Sequence, residues 1–227
     1  ASINGVALAV LGLSAGDSNV HEENGRATGV VTEGAVNRVN EAIAPDTATT
    51  RKRLIAARDH AHQLGITGVH DMVRGGHAAK VYRQLDLESA LELRVRINYW
   101  TDHLEAAGEV GLQTNAGSEF VRTGAIKSFT DGAIGSRTAR LSQPYDDGPD
   151  GNHGEWVVDP EKLREWVERA TDAGFQCTAH AIGDSAVRET LETYASTDDP
   201  GVSRHRIEHL EVLDKALIER FATVGVV

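Results

Sequence analysis

The sequence predicts an α/β fold of parallel βαβ units, and three observations carry that prediction. From about residue 51 onward, helical and strand patterns alternate. The six strand patterns are separated mainly by helices, the order a parallel sheet needs because each parallel connection must cross over the sheet. No glycine-rich phosphate loop of the G-x-G-x-x-G or Walker type is present. That removes the commonest reason to prefer an open doubly wound sheet, although open sheet and closed barrel both fit the alternation. A length of 227 residues suits one barrel-sized core.

The elements follow in order. Thr50 is placed to cap a helix over 51–64, whose Leu54, Ile55, Ala61 and Leu64 fall near one face before Gly65 ends it. Strand Ile66–His70 comes next. A helix over 77–91 leads to the β-rich run Leu93–Tyr99. Residues 103–112 read as a short helix and Ala125–Phe129 as a strand, followed by a long glycine-containing loop to residue 154. Asp159 and Pro160 offer a cap and a first-turn proline to a helix carrying Leu163, Trp166, Val167 and Ala170, which Gly174 ends. Strand 175–180, a helix from Asp184 to 195, strand Arg206–His209 and a helix capped by Asp214 follow. The Val-rich run Val224–Val227 reads as a sixth strand. The first 50 residues are different. Asn24–Gly25 and Thr28–Gly29 read as turns flanking a short hairpin, so residues 1–50 are expected to form an insertion or lid and 51–227 the barrel segment.

The chain is 40% hydrophobic and 25% charged, an ordinary composition for a soluble protein. No apolar run approaches the roughly 18–20 residues that cross a bilayer. Val6–Leu13 is apolar but has no basic residue before it, unlike a signal peptide. The net charge of -11 argues against nucleic acid or an anionic membrane as partner. Only five of the 23 basic residues are lysine. Acid excess with scarce lysine suggests a salt-adapted protein. Cys177 is the single cysteine, which excludes an internal disulfide and fits a reducing, cytoplasmic setting. A first residue that is not Met and a strand-like last run suggest an internal piece of a longer protein.

The informative chemistry is positional. In parallel α/β folds reactive groups sit at the C-terminal ends of strands. His70 and Asp71, Lys127, His180, and Glu208 with His209 all occupy such places. His180 and His209 are 29 residues apart, about one βα repeat, so adjacent strands would present both imidazoles at one mouth. A single histidine among ten is ordinarily a buried hydrogen-bonded residue or a surface one. Two at successive strand ends shift the balance toward a metal pair. Lys127 stands in an otherwise apolar strand. An outward, snorkelling lysine is the plainer reading and a metal-site lysine the functional one. Asp131 and Arg137, in the glycine-containing loop that follows, are candidates for substrate contact, with a solvated turn the alternative. Cys177 belongs with the core.

Several segments resemble the amidohydrolase superfamily, in the branch holding N-substituted formamide deformylases and exoenzyme-regulatory-protein-like hydrolases. Gly124–Tyr145, GAIKSFTDGAIGSRTARLSQPY, resembles the lysine-bearing segment. Thr178–Val187, TAHAIGDSAV, and Arg204–His209, RHRIEH, are similar to the histidine segments of strands five and six. Gly65–Asp71, GITGVHD, and Asn4–Leu13 also fit, in the expected order.

The resemblance implies a distorted (β/α)8 TIM-type barrel, present here only in part, about strands two to seven. It implies one or two divalent metal ions, commonly zinc, with His180 and His209 as ligands. Lys127 would match the strand-four lysine, which in many relatives carries a carbamate bridging two metals, and a carbamate would turn the buried cation into an anion. The family's first-strand His-x-His pair has no counterpart. His60 and His62 fit its spelling but fall on a predicted helix. The eighth-strand aspartate would lie beyond Val227. The implied activity is hydrolysis of a C–N bond, an amide or N-acyl/N-formyl group of a small-molecule substrate, by metal-activated water. The segment alone is expected to be inactive. Alternatives are a cyclic-amidine deaminase of the same superfamily and a non-catalytic regulatory barrel. Exposed sheet edges would favour a homo-oligomer.

Overall fold

The computed structural model describes residues 1–73, 76–198 and 200–227. They separate into two compact units, Ala1–Thr50 and Arg51–Val227.

The first unit is a small α/β module. Helix α1 (Gly5–Leu11) starts at Asn4, whose side chain accepts from the Ala7 amide, and stops at Gly12 in the left-handed region. Strands β1 (Val20–Glu23) and β2 (Arg26–Val31) form an antiparallel hairpin. Its turn is Asn24–Gly25, both at positive φ, the conformation that a two-residue hairpin turn with the twist of its strands requires. The expected second turn at Thr28–Gly29 is instead part of β2. Gly29 is needed there for another reason: a Cβ would lie 2.2 Å from the carbonyl oxygen of Ile3, which pairs alongside. Helix α2 (Glu33–Ala42) covers a core of Leu13, Val20, Val31, Ala35 and Val39.

Helix α3 (Thr47–Gln63) begins earlier than expected. Asp46, not Thr50, supplies the capping oxygen, to the Thr49 amide at 2.7 Å. Five strands follow: β3 (Gly68–Val73), β4 (Arg94–Trp100), β5 (Val121–Phe129), β6 (Gln176–Ala181) and β7 (Arg206–His209). Between them lie α4 (Gly76–Leu87), α5 (Leu104–Glu109), α6 (Pro160–Asp172), α7 (Asp184–Ala195) and α8 (Pro200–Ser203), and α9 (Lys215–Val224) closes the series. As expected, α6 starts on Asp159 with Pro160 in its first turn, and Asp214 caps α9 through the Leu217 amide. For α7 the cap is Gly183. Asp184 is already helical, and its carboxylate accepts from the Ser142 amide.

All neighbouring pairs are parallel, and the spatial order β3-β4-β5-β6-β7 equals the chain order. Every crossover therefore steps one strand in the same direction. A doubly wound sheet reverses direction at a switch point, whereas a barrel does not. The sheet is a curled half-barrel. Arg206 on β7 hydrogen-bonds His70 on β3, so the two outermost strands approach each other across the inner face. The sixth strand expected at Val224–Val227 is not formed. Val224 ends α9, Gly225 takes a left-handed cap, and only Val227 pairs beside β7, through two backbone bonds.

The two faces of the sheet divide the chemistry. Ile126, Cys177, Ala179, Ala181 and Ile207 face the helices and pack with Leu163, Val167, Val187, Leu191 and Leu217. Leu163 and Leu191 are fully buried, and truncating such a leucine to alanine costs about 2–5 kcal/mol. Cys177 lies in this layer, and burial pushes its thiol up to about 12, so it stays protonated. The inner face instead carries Arg96 on β4 and, in register across β5 to β7, Lys127 with Thr178 and Arg206, and His180 with Glu208. No helix among the described residues is long and apolar enough to cross a membrane.

Candidate metal centre

The site forms where β5, β6 and β7 end. Lys127 and Phe129 are two apart on β5 and share the inner face with their register partners Thr178 and His180 on β6. Lys127 is 4% exposed. Its Nζ donates to the Ser128 carbonyl at 3.0 Å and lies 4.9 Å from the centroid of the Phe129 ring. The tight β4–β5 contact that aims this strand uses Gly124. A Cβ there would sit 2.4 Å from Asn98 Oδ1, which accepts from the Ala125 amide at the register shift between the two strands.

Alternation alone would turn His209 away, since Arg206 and Glu208 hold the inner positions of β7. The backbone corrects this at the strand end. His209 and Leu210 adopt φ of 83° and 55°, a costly conformation for residues with a Cβ. The His209 ring then lies 4.5 Å, centroid to centroid, from the ring of His180. Phe129 is 4.8 Å beyond His180, and Trp100, at the end of β4, stacks on Phe129 at 5.1 Å. Four rings thus form an arc across four successive strand ends.

His180 Nε2 lies 2.7 Å from the Gly132 carbonyl oxygen and donates to it. Its Nδ1 is then an unprotonated lone-pair donor. Burial holds the ring below its ordinary pKa, although the Gly132 carbonyl pulls the other way. Neutral imidazole is the form that binds metals. Beneath the pair, Glu208 accepts from Thr178 at 2.7 Å and from the Arg206 guanidinium. Burial pushes the Glu208 carboxyl up, but those two donors outweigh it and hold the group below its usual range.

The structure thus brings His180, His209 and Lys127 to one mouth. The two imidazoles fit a divalent ion as part of a donor set. Among the described residues no three of His, Cys, Asp and Glu gather into a metal-sized group. Asp131 is fully buried, and its two oxygens accept from the amides of Ile182, Gly183 and Arg140 at 3.0, 2.8 and 2.8 Å. It ties the loop after β5 to the turn before α7, and its Oδ1 lies 3.7 Å from His180 Nε2. Arg137 stands apart in that loop, exposed, at φ 56°, and paired with Asp147 at 2.8 Å. His60 and His62 lie on α3 and His70 inside β3.

Sequence reasoning missed the aromatic arc, the Gly132 carbonyl and the Arg206–Glu208–Thr178 network. Arg206 and Glu208 did carry a signal, since charged residues alternating with Ile207 in a short strand imply a polar inner face.

The amidohydrolase family model matches residues 1–227. YtcJ of Bacillus subtilis (strain 168), named as an amidohydrolase, is 30% identical over 237 residues, covering 99% of this chain and 44% of that protein. The N-substituted formamide deformylase of Arthrobacter pascens is 23% identical over 242 residues, covering 98% of this chain and 44% of the relative. Among solved structures, an uncharacterized metal-dependent hydrolase from Pyrococcus horikoshii OT3 superposes with a TM-score of 0.83 at 27% identity, over 99% of this chain and 45% of that one. The chain spans less than half the length of each. With the half-barrel and the paired strand-end histidines, these matches identify the chain as a member of the amidohydrolase family, with the fold of its metal-dependent hydrolases.

Proposed function

We propose that the protein hydrolyses a C–N bond of a small molecule, an amide or N-acyl/N-formyl group, and that this chain supplies His180, His209 and Lys127 to the metal site. The single observation that carries the reading is the pair of imidazoles 4.5 Å apart at the ends of adjacent strands, beside a buried lysine on the same inner face.

His180 and His209 hold the divalent ion, which we take to be zinc. Bound there, it supplies Lewis acidity, which acidifies water and polarises a carbonyl. The chain's own groups prepare that chemistry. The Gly132 carbonyl fixes the His180 tautomer, and burial keeps the ring neutral. Lys127, carrying a carbamate, would contribute an anion where an ammonium is costly to bury. Asp131, with both oxygens engaged by backbone amides, acts as a positioning residue for the turns that frame His180. Arg137, on the exposed loop, is the group we assign to a polar part of the substrate, once it exchanges Asp147 for that partner.

Equilibrium dialysis with Zn²⁺, read by elemental analysis, tests the metal reading on this chain directly. We expect saturable binding that His180→Ala and His209→Ala each weaken by at least about 10–100-fold, the loss already produced by removing a group that only orients a metal ligand. A chain that takes up no divalent ion, or variants that bind as well as the parent, would sink it. In the full-length protein, release of formate or another carboxylate from an N-acyl amine supports the C–N hydrolase assignment. Ammonia release from a cyclic amidine instead would replace it with a deaminase.

A further inference from the structure

A second cluster of charged side chains lies at the opposite end of the strands from His180 and His209. Arg94 and Arg96 are two apart on β4 and share a face. Arg122, near the start of β5, is the register partner of Arg96. Three guanidinium-bearing residues therefore crowd the N-terminal ends of two neighbouring strands. With Val95, Phe120 and Glu119 they line a cavity of about 260 Å³.

The bonds these arginines make are all to neutral acceptors. Arg94 donates to Thr67 Oγ1 at 2.7 Å, Arg96 to Asn115 Oδ1, and Arg122 to the Ser118 carbonyl at 2.9 Å. Among the described residues none of the three is in an ion pair, whereas eight other arginines each lie against a carboxylate. Each guanidinium has five N–H donors, so most of their capacity is uncommitted. Like charges at neighbouring strand positions repel and destabilise a sheet. A chain of net charge -11 has ample acidic residues to neutralise such a cluster, yet only Glu119 reaches this lining. The side chain of Val95, between Arg94 and Arg96 on the strand, turns to the opposite face and packs in the core, so the apolar part of the lining is the partly buried Phe120.

We propose that Arg94, Arg96 and Arg122 form a binding site for a phosphate group, either free or carried on a small molecule. The planar fork of a guanidinium matches two oxygens of such an anion, and neighbouring forks can hold a third. The site lies away from the metal centre and does not rest on the hydrolase reading.

Isothermal titration of the 227-residue chain, at constant ionic strength, tests the proposal. Inorganic phosphate, phenyl phosphate, acetate and chloride are the four titrants. Phosphate is expected to give a saturable heat, and Arg96→Gln and Arg122→Gln to weaken it by about tenfold each, or about 1.4 kcal/mol. Arg122 is exposed, so its variant tests the site even if Arg96→Gln perturbs folding. Arg188→Gln, a surface arginine paired with Asp214, should leave the binding unchanged. Tighter binding of phenyl phosphate than of inorganic phosphate would assign the site to a phosphate carried on a small molecule, and equal or weaker binding to the free ion. Either result supports the site. Absence of saturable heat with both phosphates overturns it. So does unchanged affinity in both variants, or a chloride response equal to that of phosphate, which would be screening alone.

Discussion

His205 makes the acid stability of this half-barrel depend on one proton. It is fully buried just before β7, with its ring 4.8 Å from that of Tyr194. Nδ1 accepts the Cys177 amide proton at 3.0 Å, and Nε2 lies 3.5 Å from Thr197 Oγ1. The ring must therefore be neutral with its proton on Nε2. Burial pushes its pKa from 6.5 down to about 4. The sign follows from linkage. Between those two values the unfolded chain takes up a proton that the native chain refuses. Stability is complete above about pH 6.5 and falls as the pH drops toward 4. At about 1.4 kcal/mol per pH unit the total is about 3 kcal/mol. Urea unfolding of the parent and of His205→Gln, at steps from pH 7.5 to 4.5, isolates this contribution. Glutamine keeps an acceptor for the Cys177 amide and does not titrate. Carboxylates and the other depressed histidines, His70 and His180, are common to both proteins and cancel in the difference. The parent should lose roughly 2–3 kcal/mol more than the variant across that range. Parallel pH profiles for the two proteins would refute the argument.

Two further outcomes follow from the same structure. Asp131→Ala leaves three amides without their acceptor, two of them buried at about 1–3 kcal/mol each before relaxation and the part-buried Arg140 amide at less. We expect a net loss on the order of 3–5 kcal/mol in urea unfolding. Asp131→Asn, which keeps one oxygen, should lose clearly less. Equal losses, or a loss under about 1 kcal/mol, would contradict the role given to this residue. With a net charge of -11, self-repulsion should make the melting temperature rise from low salt to molar KCl, and a flat or falling response would remove the case for salt adaptation.

Much of the fold was legible because local chemistry and periodicity agree along most of the chain. Asp159–Pro160 and Asp214 begin helices where a cap and an apolar stripe coincide. The errors fall where two local solutions are equally good. Asp46 and Thr50 are both competent caps, and the periodicity of Leu54, Ile55 and Ala61 starts too late to choose between them. Val224–Gly225–Val226–Val227 has the composition of a strand, yet also of a helix end with a left-handed glycine, and α9 runs into it. The choice between open sheet and barrel was beyond periodicity altogether. It depends on which strands are neighbours, and only the order β3-β4-β5-β6-β7 decides it. The site was legible in part. Spacing put His180 and His209 at successive strand ends, where their rings come to lie 4.5 Å apart, but nothing local marks Asp131 as an acceptor for amides roughly 50 residues away in sequence, because those partners meet only in the folded sheet.

His209 shows how far spacing alone can be trusted. A separation of one βα repeat places it at the right strand end, but strand alternation would send its side chain toward the helices, opposite to Glu208. The pair with His180 exists because the backbone turns left-handed at His209 and again at Leu210. Such a conformation costs a residue with a Cβ about 1–2 kcal/mol relative to glycine, which reaches it freely. Glycine also loses more entropy on folding, so the net advantage at this position should be about 1 kcal/mol or somewhat less. His209→Gly should therefore be more stable than His209→Ala in urea unfolding, a reversal of the order found in ordinary strands. Both variants should bind zinc equally weakly, since both lack the imidazole. If alanine proves the more stable replacement, the left-handed turn is not imposed by the fold. The approach of the two rings would then need another cause. If glycine wins, the strain is a fixed part of the scaffold, held so that the histidine faces the mouth of the half-barrel.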